Sequence, residues 1–202
     1  MSAAEKISVR VGDITIKATQ RTTAKALLAH ALDQAGAVSI ARHAANTATP
    51  PALGELWPEQ GGIYAGLMRG EDGRPDYHLV AAADEAGQLK GAWGCSGSEI
   101  KGAASRNDGL ANTAAMAEAG SDLAKKMLAL EIDGHADWYL PAQAELMLCF
   151  VNAREHFQKE WHWSSTQYSA YAAWFQAFSS GHAYDNGKDG EWRARAVRRV
   201  EQ

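Results

Sequence analysis

The stretch Trp161-His-Trp-Ser-Ser-Thr166, Tyr168-Ser-Ala-Tyr171, Ala173-Trp-Phe-Gln-Ala-Phe178, Ser179-Ser-Gly-His-Ala-Tyr-Asp-Asn-Gly187, closing at Trp192, decides how this chain is read. His162–Thr166 and Ala173–Phe178 are strand-like and punctuated by glycine. Alternation sets Trp174, Gln176 and Phe178 on one side and Ala173, Phe175 and Ala177 on the other. Taking the first set as buried leaves Phe175 and Ala177 on an exposed surface. They join loops whose vocabulary is Tyr, Ser, Gly, Asn and His. Tyrosine supplies contact area at low entropic cost and small polar residues supply adaptable hydrogen bonds, as in recognition loops. The candidate ligand-binding residues are therefore Tyr168, Tyr171, Phe175, Ala177, Ser179, Ser180, His182, Tyr184, Asp185 and Asn186. A plain surface hairpin would use the same turn residues.

Moving outward, Arg193-Ala-Arg-Ala-Val-Arg-Arg-Val200 alternates as a last strand. Its arginines either pair with carboxylates at the core edge or form a patch for anionic ligands such as sulfated glycans. Upstream, Pro141–Val151 predicts a helix with Ala144, Met147, Leu148 and Val151 as its apolar face. Glu145 on that helix is a general-acid candidate or half of a structural ion pair. Asn112–Ile132 predicts another helix, interrupted by Gly120. Gly62–Leu67 and Tyr77–Ala82 read as two strands joined through the turn at 70–73.

All seven Trp, six Tyr and four Phe lie between Trp57 and Trp192. The first residues differ in kind. Ile7–Lys17 alternates around Gly12-Asp13 as a hairpin, and Thr23–Ala45 is an alanine-rich helix pattern that buries little area alone. Thr49-Pro50-Pro51 marks the boundary. The expected organisation is an attachment or oligomerisation module over 1–50 and a core-building domain over 55–202.

A net charge of -4 excludes a general nucleic-acid binder. No apolar run approaches the roughly 20 residues of a membrane span, so no membrane insertion is expected. The start, Met-Ser-Ala-Ala-Glu-Lys, has no apolar stretch of the secretory kind. Cys95 and Cys149 have no metal spacing and are either one bridge or two thiols. The seven histidines contain no paired metal-ligand spacing, and Asp133–Asp137 reads as a turn before a strand. Ser164-Ser165-Thr166 lacks the context of a nucleophile, and Gly61-Gly62 enters a strand rather than a helix. No cofactor, metal site or catalytic residue is expected.

Trp57-Pro58 with Gly61–Leu67, Asp137-Trp-Tyr-Leu-Pro-Ala-Gln-Ala-Glu-Leu146, Trp163–Thr166, Ala173-Trp174 and Arg193–Arg199 occur in that order. Over about residues 55–200 this set resembles the collagen-like adhesin C-terminal domain family, found in phage and prophage proteins and related to the C-type lectin fold. The resemblance implies an α+β C-type lectin-like domain, two helices on a twisted antiparallel sheet. Its implied role is non-enzymatic recognition of a host cell-surface glycan or protein, as a tail-associated receptor-binding component and often as a trimer. It would sit among other virion tail proteins, or in the bacterial cytoplasm before assembly. The alternative is a structural virion subunit that uses the domain for assembly contacts.

Some relatives are variable proteins of diversity-generating retroelements. Phe175, Ala177, Ser179, Ser180, His182, Tyr184, Asp185 and Asn186 are compatible with that mutagenesis. Trp174, Gln176, Lys188 and Trp192 would be fixed framework. The chain departs from calcium-dependent lectins in lacking their Glu-Pro-Asn, Gln-Pro-Asp and Trp-Asn-Asp signatures. It also has no cysteine beyond Cys149, which speaks against a formylglycine-generating enzyme of the same general fold.

Overall fold

A computed structural model describes residues 7–11, 14–18, 49–71, 73–83 and 85–201. The chain divides into two units, Met1–Thr47 and Ala48–Gln202. In the first, β1 (Ile7–Val11) and β2 (Ile14–Ala18) pair antiparallel with Val11 opposite Ile14, as the alternation predicts. The helix predicted over 23–45 lies outside the described residues.

The second unit is α+β. One sheet has the order β11-β5-β4-β3, from Val197–Glu201, Tyr77–Ala82, Gly62–Met68 and Leu56–Trp57. The other has the order β6-β10-β7-β8-β9, from Gln88–Ala92, Glu191–Arg195, Trp161–Gln167, Ala172–Ala177 and Ala183–Gly187. All neighbours are antiparallel except β10 and β7. The run predicted as one last strand is two, because the chain leaves one sheet at Ala196 and enters the other. Ala196 donates to Gly87 O at 2.8 Å and accepts from Ala82 N at 2.9 Å, so its backbone stays paired through the crossing.

The helix predicted over 112–132 is likewise two: α1 (Gly109–Glu118) and α2 (Asp122–Leu128). Gly120 at φ +102 takes the left-handed turn that L side chains resist. Asp108 Oδ1 and Ser121 Oγ then cap the helices by accepting from Ala111 N and Ala124 N. The third helix, α3, spans Gln143–Ala153. It is rotated from the expected face: Glu145, Leu146, Cys149 and Ala153 are buried, while Met147 and Val151 are 46% and 64% exposed.

Glu145 faces the interior on that side. Its Oε1 accepts from Tyr77 OH at 2.5 Å, Tyr139 OH at 2.8 Å and Arg199 Nη2 at 3.2 Å. Oε2 accepts from Ala142 N at 2.7 Å and Gly109 N at 3.1 Å. Burial pushes this carboxyl above its ordinary range; Arg199 and the other donors work against that. Gly109 is required there, since a β-carbon would lie 2.6 Å from Ala142 N. The structural ion pair is thus the reading that holds for Glu145. The arginines of β10 and β11 are engaged as well. Arg193 pairs with Glu160, Arg198 with Asp137 and Arg199 with Asp108, while Arg195 donates to the carbonyls of Ala82 and His156.

Apolar side chains gather in two main clusters. Trp93, Met116, Leu123, Met127, Trp138 and Trp163 are part of one. Leu79, Tyr139, Leu146, Cys149, Phe157 and Phe178 are part of the other. In a smaller cluster Trp57 joins Tyr64, Val80 and Val200.

Replacing Glu145 by Ala removes the buried acceptor shared by Tyr77, Tyr139, Arg199 and the amides of Ala142 and Gly109, and an unfolding midpoint in urea should report a loss of about 3–5 kcal/mol. A second expectation concerns His162, which packs against Phe157 and Phe178 and whose pKa burial lowers from 6.5 to about 4. The unfolded chain gains a proton near pH 6.5 that the folded chain refuses until about pH 4. Stability present above pH 6.5 should therefore fall by roughly 3 kcal/mol as pH drops through that window. His162→Gln should flatten the dependence, as read by denaturation at a series of pH values.

Candidate aromatic recognition site

Pairing of β8 with β9 sorts the candidate residues onto two faces. Phe175 stands opposite Tyr184, Ala173 opposite Asn186, and Trp174 opposite Asp185. Tyr184 lies with Phe175 and Ala177 on one face, and the His182 ring is 6.0 Å from that of Tyr184. Asp185 shares the other face with Trp174.

The exposed placement expected of Phe175 and Ala177 is not what the structure shows: they are 5% and 2% exposed. Trp161 stacks on Phe175 with centroids 4.2 Å apart, and Trp163 and Trp192 flank it at 5.4 and 5.6 Å. Gln176 and Phe178 are buried on the opposite face, so β8 is covered on both sides. Trp174, assigned to the buried set, is only half-buried.

Tyr168, Tyr171 and Tyr184 are more than half exposed. Ser179, Ser180, His182 and Asp185 are exposed, and Asn186 is half-buried with its Oδ1 accepting from Gly187 N at 2.7 Å. One aromatic group contains Tyr184, His182 and the half-buried Trp161 and Trp192. Trp161 and Tyr184 have centroids 6.1 Å apart. The Trp192 Nε1 donor is buried and has no hydrogen-bond partner. On the other face Tyr168 meets Trp174 edge-on at 5.2 Å, and the Arg106 guanidinium lies 5.9 Å from that indole.

Trp161 was absent from the predicted site and Trp192 was assigned to framework. The signal for Trp161 is its period-two relation to Trp163 together with its cross-strand partner Ala177, whose methyl leaves room for the indole to lean over Phe175. Trp192 carries no such signal, since its ring meets Phe175 from two strands away in the same sheet.

Lys188 fixes the base of this surface. It is fully buried, and Nζ donates to Ser98 O at 2.8 Å and Gln167 Oε1 at 2.7 Å, 4.8 Å from the Trp93 ring centroid. Gln167 Oε1 also accepts from Ile100 N, Gly97 N donates to Ala170 O, and Lys188 N donates to Tyr171 O. The turn carrying Tyr168 and Tyr171 is thereby tied to residues 97–100. Burial lowers the Lys188 ammonium pKa.

This arrangement offers stacking faces and hydrogen bonds. The hydroxyls of Ser164 and Thr166 donate to the carbonyls of Trp174 and Ser105, while Ser165 Oγ accepts from Asn112 Nδ2. Burial pushes the Cys149 thiol up, away from reactivity, and Cys95 is a free exposed thiol. Among the described residues, no three His, Cys, Asp or Glu side chains gather as a metal site. A separate pocket of about 210 Å³ includes Arg69, Glu71, Arg74, Tyr77, Asn107 and Arg199 in its lining, and both Arg74 and Arg199 bond Asp108. No protein-family model matches the chain, and no curated protein matches it.

Lys188→Met keeps the buried stem but removes the donor to Ser98 O and one of the two donors to Gln167 Oε1. It should cost about 1–3 kcal/mol and, in hydrogen exchange, speed the amides of residues 97–100 and 168–171 before others.

Proposed function

We propose that the second unit is a non-enzymatic recognition domain of the C-type lectin-like kind. Its place is in a phage or prophage tail-associated protein that contacts a host surface glycan or protein. The observation that carries the reading is the aromatic group of Trp161, Tyr184 and Trp192 beside His182, set on a sheet whose opposite face is packed. Such rings bury large area with few rotatable bonds. The order of the sequence motifs over residues 55–200 and the α+β architecture support the lectin-like assignment. The hydroxyls of Ser164 and Thr166 serve backbone carbonyls and that of Ser165 accepts from Asn112, which favours binding over covalent chemistry. Oligomer formation, with a trimer as the leading state, belongs to the same proposal.

Binding to an array of bacterial surface glycans and envelope proteins tests it, with the full chain compared against Trp161→Ala and Tyr184→Ala. Each variant should lose about 2 kcal/mol of binding, roughly thirtyfold; Tyr184→Ala should keep the wild-type melting behaviour, whereas Trp161→Ala also uncovers Phe175 and should melt lower while remaining folded by circular dichroism. Retained affinity in folded variants would remove the site assignment. Absence of any array ligand, together with burial of Tyr184 in an assembled particle, would favour the structural-subunit reading.

A further inference from the structure

The five-stranded sheet has two edges, and they are built differently. β6 carries the exposed Lys90 at its centre, the kind of charge that discourages strand addition. β9 is the other edge, and among the described residues it has no strand beyond it. Its one lysine neighbour, Lys188, is turned inward and buried.

The hydrogen-bond parity of β9 shows which backbone groups face outward. Ala177 N donates to His182 O at 2.9 Å, and Lys188 N donates to Tyr171 O at 2.9 Å. The even-numbered residues 182, 184, 186 and 188 therefore bond to β8. Ala183, Asp185 and Gly187 point their amides and carbonyls away. Gly187 N is already capped by Asn186 Oδ1. Ala183 and Asp185 are left with outward N–H and C=O groups two residues apart, the repeat an added strand pairs with.

The charge around this edge has one sign. Asp185 on β9 and Asp189 just beyond it are exposed, and the only Lys or Arg between Ser179 and Asp189 is the buried Lys188. Arg106 lies one strand inward, over Trp174 on β8. Asp185 is in no ion pair among the described residues.

We propose that the outer edge of β9 is a strand-addition site for an extended basic peptide segment. The peptide's backbone pairs with Ala183 and Asp185, and its Lys or Arg side chains meet Asp185 and Asp189. The site uses backbone groups of the edge rather than the aromatic group, so it stands whether or not that group binds a ligand.

The probe is an acetylated, amidated Lys-Thr-Lys-Thr-Lys-Thr-Lys peptide, with Glu replacing Lys in the comparator, titrated into the full chain at low salt. Binding should slow amide exchange at Ala183 and Asp185, and the acidic comparator should give no protection there. Asp185→Pro removes an outward N–H without touching the β8–β9 ladder, a position where edge strands accept proline. It should weaken the basic peptide by roughly tenfold at an unchanged melting temperature. Asp185→Lys keeps the backbone donor and reverses the charge; it should also lose the basic peptide, which covers the case of a proline variant that fails to fold. Wild-type affinity in a folded Asp185→Pro, equal binding of the acidic peptide, or protection confined to other amides would overturn the proposal. Concentration-dependent self-association that protects the same two amides without peptide would overturn it in favour of a second copy on that edge.

Discussion

The Glu145 carboxylate has no exposed surface and takes donors from β5, the Tyr139 segment, β11, the start of α1 and the start of α3. Burying a charge in this way contributes little net stability compared with a packed apolar side chain of similar volume. It makes alternative arrangements expensive. A one-residue slip of β11 would turn Arg199 away from Glu145 and Asp108 and place Arg198 or Val200 there. Arg198 is itself held on the opposite face by Asp137 and Gln60. The last strand is thus pinned in register from both sides, and with it the geometry of β10, which precedes it through Ala196.

The parts of this fold legible in the sequence were those set by local alternation and turn chemistry. The strands at 62–68 and 77–82 follow from short apolar runs joined by a turn, the hairpin strands at 7–11 and 14–18 from alternation, and those at 161–167 and 172–177 from the strand-like runs read at 162–166 and 173–178. Long-range polar contacts overrode local pattern elsewhere. Of the expected face of α3, Ala144 and Leu148 pack against the core while Met147 and Val151 stay exposed; the helix buries Leu146, Cys149 and Ala153 together with Glu145, on which five donors converge. Gly120 looked like a weak point in one helix. Its positive φ instead separates two helices, and the caps Asp108 and Ser121 are visible in sequence only once that break is granted.

The site was legible in composition and misread in orientation. Alternation correctly separates Phe175 and Ala177 from Trp174 and Gln176. It says nothing about which face lies open when both carry aromatics. Trp161 and Trp192 decide the matter by covering Phe175, the first from the adjacent strand β7 and the second from β10, two strands away in the sheet. The exposed rings are therefore the tyrosines at turns and on the edge strand, where no adjacent strand supplies a cover.

Lys188 links these features through one choice of side-chain direction. Turned inward, its ammonium bridges Ser98 and Gln167 and holds the loop that supports Tyr171. The same turn removes the only lysine from the β9 edge and leaves Asp185 and Asp189 as its charges. An outward lysine would protect the edge and leave the turn loose. The inward one orders the aromatic surface before any ligand arrives, which lowers the entropy lost on binding. A rigid tyrosine-bearing surface and an acidic, pairing-competent strand edge are thus two consequences of the same buried cation.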